Sequence, residues 1–111
     1  MTTGEIKMKE VNADDVESLV STSNLTIVDC WAPWCGPCRM LTPRLEALSK
    51  DEEFAGVNFL ALNVDNNESF ARQHGIRSIP TLLFYKGGEV IHTMTGVPNE
   101  KVLAAKITEL K

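Results

Sequence analysis

Two cysteines three positions apart, Cys35 and Cys38, stand where a buried-strand pattern gives way to a helical one. Residues 25–30 form a near-continuous apolar run of the kind buried on both faces in the middle of a sheet. The pattern that begins near Cys35 places Leu41, Leu45 and Leu48 at helical core spacing, with Lys50 near its end. A thiol at the first turn of a helix meets unsatisfied backbone N–H groups and the positive end of the macrodipole, and both favour the thiolate. Cys35 is therefore the expected nucleophile. Three residues of helix bring Cys38 to nearly the same face, within reach of a disulfide that opens and closes without refolding. Gly36 leaves room for a partner's backbone, and Pro37 suits an early helical position whose N–H has no partner.

The rest of the composition narrows the field. A chain of 111 residues is expected to be one domain spanning 1–111. Its formal net charge of −4 argues against nucleic acid or an anionic membrane as a partner. No run approaches the roughly 18 apolar residues of a membrane span, and residues 1–10 lack the hydrophobic stretch of a secretory signal, so a cytoplasmic location is expected. An odd count of three cysteines is no secreted disulfide framework and fits redox chemistry better.

Elsewhere the pattern predicts a strand over 5–11, and a helix starting at Asn12 with Asp14 and Asp15 in its first turn. A loop is expected over 51–56, a buried strand over 57–64, and a short helix capped by Asn66 or Asn67 that runs through His74 and ends at a left-handed Gly75. Segments 81–85 and 89–95 flank Lys86-Gly87-Gly88 as a hairpin, and a last helix covers about 99–110. Pro43 falls inside the second helix, where a kink is expected. Helices and strands that alternate early, with a hairpin late, predict an α/β fold with a mixed sheet covered on both faces.

The string Trp31-Ala32-Pro33-Trp34-Cys35-Gly36-Pro37-Cys38 resembles the active-site signature of the thioredoxin family. Downstream, Ser78-Ile79-Pro80-Thr81 matches the place where that family carries a cis-proline facing the disulfide. The resemblance spans essentially the whole chain and implies a central five-stranded sheet with four helices. It also implies a protein-disulfide reductase, in which Cys35 attacks, Cys38 resolves and Asp29 accepts the proton of Cys38. Gly36 and Pro37 resemble the insert of reducing members. A shallow substrate groove would be formed by Trp31, Trp34, Pro37, Ile79, Pro80, Val97 and the backbone of Gly96. No cofactor is expected beyond the two thiols, and a monomer serving oxidised protein substrates and recharged by a thioredoxin reductase is the implied setting.

Blander readings stand beside these. Cys35 and Cys38 could be half of a zinc site, but no second Cys-X-X-Cys is present, and His74 and His92 fall in a short helix and an outer strand. The domain could instead be a scaffold with incidental thiols, and Asp29 a carboxylate that reaches water at the strand's end. Two positions depart from the family pattern. Ala61 replaces a lysine often found beside the aspartate, which leaves Asp29 less stabilised as a carboxylate. Cys30 replaces a bulky aromatic and is expected to be a buried, inert thiol.

Overall fold

The computed structural model describes residues 8–111. In chain order the elements are β1 (Met8–Val11), α1 (Ala13–Val20), β2 (Thr26–Trp31), α2 (Gly36–Ser49), β3 (Asn58–Asn63), α3 (Glu68–Gln73), β4 (Thr81–Lys86), β5 (Glu89–Thr95) and α4 (Glu100–Leu110). The strands form one sheet in the order β1-β3-β2-β4-β5. β3 pairs in parallel with β1 and β2, whereas β4 runs antiparallel to both β2 and β5, so the expected mixed sheet is observed. Of the strand expected over 5–11, residues 5–7 lie outside the described residues.

Alternation along β2 decides which layer each side chain joins. Ile27 enters the cluster made with Leu41, Leu45 and Leu48 of α2 and Leu103 and Ile107 of α4. Val28 and Cys30 enter the opposite cluster, with Val16 and Val20 of α1 and Phe70 of α3. The sheet is thus covered on both faces, and β2 in its middle is buried from Thr26 to Cys30.

Some local expectations are refined. The loop over 51–56 contains a 3₁₀ turn, Glu52–Phe54, whose Asp51 Oδ1 accepts from the Glu53 N–H at 2.9 Å and which buries Phe54. β3 stops at Asn63, and a second 3₁₀ turn, Val64–Asn66, takes over. Asn67 does precede α3, but its side chain caps a different helix. Asn67 Oδ1 accepts the Ala13 N–H at 2.9 Å, satisfying the start of α1, while its amide donates to the Asn63 carbonyl at 2.9 Å. Asn12, at the N-cap position of α1, makes no side-chain cap of its own. α2 runs through Pro43 to Ser49 as one helix.

Gly87 and Gly88 both take positive φ, 63° and 85°, the pattern of a two-residue type I′ hairpin between β4 and β5. Gly96, just beyond β5, has φ 85° and donates its N–H to the Pro80 carbonyl at 3.0 Å, tying the hairpin's end to the loop that faces the cysteines. A Cβ there would meet nothing within 4 Å, so any penalty comes from the backbone alone. Gly96→Ala is expected to lower stability by about 1–2 kcal/mol. Urea unfolding checks this, with a lower midpoint at unchanged slope as the expected result.

Candidate active site

The reactive end of the molecule lies where β2 leaves the sheet. Cys35 is the N-cap residue of α2, in extended conformation, with Pro37 in the first turn. Its sulfur is bonded to that of Cys38, with the Cα atoms 5.3 Å apart. The Cys38 backbone N–H points at the Cys35 sulfur at 3.2 Å. When the bond opens, that orphan donor and the dipole of α2 both favour negative charge on Cys35. Cys38 lies one turn in, 2% exposed, and packs with Ala32, Cys35, Trp31, Val64 and Ile79.

The Ile79–Pro80 peptide bond is cis, as expected. The Ile79 carbonyl oxygen stands 3.8 Å from the Cys35 sulfur, and Ile79 itself is half-buried against the disulfide. Pro80 is buried, and Thr81 donates its hydroxyl to the Ser78 carbonyl at 2.6 Å, closing the turn. Val97 packs on the main core cluster. Gly36 and Pro37 are exposed, and Trp34 is 68% exposed, with its indole N–H donating to both carboxylate oxygens of Asp65 at 3.0 and 3.2 Å. Asp65 was not legible as a partner, because the contact spans thirty-one positions and arises only when β3 lies beside β2.

Trp31 lines, with Cys38, a cleft of about 440 Å³. Asp29 lines the same cleft. It does not reach water at a strand end: it is 1% exposed, and neither carboxylate oxygen has a hydrogen-bond partner among the described residues. Its register neighbours are Ala61 on β3 and Leu82 on β4, so neither flanking strand supplies a cation. Burial pushes its pKa up to about 7, the nearby Glu10 carboxylate adds to the rise, and the Thr42 hydroxyl pulls the other way. That hydroxyl spends its own proton on the Cys38 carbonyl at 3.0 Å. Glu10 and Thr42 escaped the sequence reading, since neither stands near Asp29 in the chain.

Cys30 is fully buried on the opposite face, as expected, and burial, followed by the Asp29 charge, raises its thiol to about 12. The histidines do not approach the cysteines. His74 has Nδ1 3.0 Å from the Phe70 carbonyl, which can only accept, so Nδ1 carries the proton and Nε2 accepts from the Tyr85 hydroxyl at 3.0 Å. His92 stacks edge-on against Phe84. Among the described residues no group of three or more His, Cys, Asp or Glu side chains could hold a metal, and no helix is long and apolar enough to cross a membrane.

The thioredoxin family model matches residues 4–109. The chain belongs to the thioredoxin family. It is 46% identical over 101 residues to a thioredoxin of Haemophilus influenzae, covering 89% of this chain and 92% of that protein. A thioredoxin of Chlorobaculum thiosulfatiphilum is 45% identical over 91 residues, with 82% and 83% covered. Among solved structures, a Fasciola hepatica thioredoxin superposes with a TM-score of 0.84 at 37% identity, covering 94% of this chain and all of that one. A Malassezia sympodialis thioredoxin gives 0.85 at 31%, covering 96% and 95%. Like its family, this thioredoxin-type protein is a thiol–disulfide oxidoreductase that reduces disulfides through its paired cysteines.

Two outcomes follow from the burial of Asp29 and Cys30. The folded state holds the Asp29 proton more tightly than the unfolded chain does, so this group's stabilising contribution is full below about pH 4. That contribution is lost as pH rises through about 7. Asp29→Asn should therefore be more stable than the parent by about 2 kcal/mol or more at pH 8, with the gain shrinking toward pH 5, as urea unfolding at the two pH values would record. With a thiol reagent, the folded disulfide form should show Cys30 labelled only as fast as the protein unfolds, as measured by mass spectrometry at increasing denaturant.

Proposed function

We propose that this chain is a general dithiol reductant of oxidised proteins, with Cys35 as nucleophile, Cys38 as resolving thiol and Asp29 as proton acceptor. The Cys35 thiolate attacks one sulfur of the substrate disulfide; that bond breaks, a mixed disulfide forms, and the other substrate sulfur leaves as thiolate. Cys38 then gives its proton to Asp29 and attacks the Cys35 sulfur. The second substrate sulfur departs, two electrons have passed to the substrate, and Cys35–Cys38 is again a disulfide. The observation that carries this reading is the Cys38 N–H aimed at the Cys35 sulfur from the first turn of α2, which favours the attacking thiolate.

Asp29 suits its part because it shares a cleft with Cys38 and its pKa of about 7 keeps an appreciable fraction ionised at neutral pH. In this reading Trp34, Pro37, Ile79 and Val97 form the apolar groove for substrate; the Ile79 carbonyl beside the Cys35 sulfur and the Gly96–Pro80 bond that ties its loop support it, and such a groove suits broad acceptance of extended segments. Trp31 is better placed to support the loop than to touch substrate. Recharging by a thioredoxin reductase, work as a single-domain monomer in the cytoplasm, and a part in electron transport and redox homeostasis complete the proposal.

Insulin reduction by dithiothreitol tests it. The parent should accelerate precipitation well above the dithiothreitol blank and Cys35→Ser should give no acceleration, whereas Cys38→Ser should accumulate a covalent mixed disulfide visible on a non-reducing gel. A parent rate equal to the blank would leave a scaffold with incidental thiols.

A further inference from the structure

The cleft that Cys38 lines contains more than the proton-transfer role requires. Both oxygens of Asp29, which lines it, are buried and unpartnered among the described residues, and Glu10, which also lines it, is close enough to raise the pKa of Asp29. The indole N–H of Trp31 is itself buried without a hydrogen-bond partner among the described residues; its nearness favours the ionised form of Glu10, although burial still leaves the Glu10 pKa raised. Met8, Ala61 and Pro43 contribute apolar wall. Two other charged side chains line the space: Glu46, and Arg39, whose guanidinium donates to the Pro33 carbonyl at 2.8 Å. Among the described residues the one ion pair is Lys106–Glu109, so within them neither Asp29 nor Glu10 has a cationic partner.

A void of about 440 Å³ is within the size range of small-ligand pockets. Its chemistry is that of a largely apolar space holding one buried carboxylate, Asp29, that has no hydrogen-bond partner among the described residues. A divalent metal is poorly served there, since calcium needs six to eight oxygens and magnesium a near-octahedral set, and among the described residues no group of three or more His, Cys, Asp or Glu side chains could hold a metal. An ion with several N–H donors on a short hydrocarbon chain matches both halves, because its ammonium can pair with buried acceptors while its alkyl part covers apolar surface.

We propose that this cleft binds a small primary alkylammonium ion, its charged head between Asp29 and Glu10 and its chain against Ala61 and Met8. Bound there, the cation holds Asp29 ionised. If Asp29 accepts the proton of Cys38, a role that rests on the reading above, the ligand extends resolution of the mixed disulfide to lower pH; the binding itself does not depend on that role.

The experiment is a carbon-13 NMR titration of the Asp29 carboxyl in the disulfide form, where Cys35 and Cys38 do not titrate. It is run in n-butylammonium chloride and in sodium chloride of equal ionic strength. Saturating n-butylammonium should lower the Asp29 pKa by about one unit, which corresponds to about tenfold tighter binding to the ionised form. Ala61→Met, which fills the cleft without charge, should abolish the response. Ala61→Lys should lower the pKa without added ligand and leave no further shift. A shift no greater than that in sodium chloride, or an undiminished response in Ala61→Met, overturns the site. A saturable shift in Asp29 with no change in the pH profile of mixed-disulfide resolution upholds the site and removes the proton role of Asp29.

Discussion

Because β2 is hydrogen-bonded along both edges, to β3 on one side and β4 on the other, its backbone has no freedom to slide or rotate. Its side chains must then alternate between two differently packed faces. Asp29 is sent toward α2 and Cys30 toward α1 and α3. A one-residue slip would exchange them, putting a carboxylate into a cluster of valines and leucines and a thiol into the cleft that Cys38 lines. The same constraint aims the chain at its exit: β2 ends at Trp31, and α2 begins at Gly36 with Cys35 as its cap. Cys35, Cys38 and the buried Asp29 therefore share one origin in the middle strand.

That arrangement carries a thermodynamic penalty in one place and almost none in another. Cys30 and Asp29 are both almost wholly buried, yet the thiol stays neutral at physiological pH and packs as a small hydrophobe, while the carboxylate has no hydrogen-bond partner among the described residues. Two closely packed leucine-rich and valine-rich clusters offset it. The proton affinity that destabilises the charged form at high pH is the same property on which the proposed role of Asp29 as proton acceptor rests. The absence of a lysine at Ala61 shapes this further, since the register places that alanine directly beside Asp29 and leaves open space where a cation could stand.

Local chemistry was legible in the residues where its cause is local. The Cys35–Cys38 pairing needs only one helical turn, the hairpin at Gly87 and Gly88 needs only two positive φ angles, and the buried strand announces itself by its apolar run. Contacts between distant segments were not legible. Asn67 reads as a cap of its own helix but spends its oxygen on Ala13, fifty-four positions away, and Asp65 holds the indole of Trp34, thirty-one positions back. Nothing within several residues of either side chain encodes its partner.

By itself the sequence determined the redox pair, the strand-to-helix junction that activates it and the alternating order of elements, because spacing and propensity act over a few residues. Tertiary structure alone decided the surroundings of Asp29. Whether that carboxylate reaches water, which charge faces it, and whether a void opens beside it depend on β1, β3 and α2 meeting around one side chain. Such a meeting is set by packing across the sheet and leaves no periodic trace along the chain.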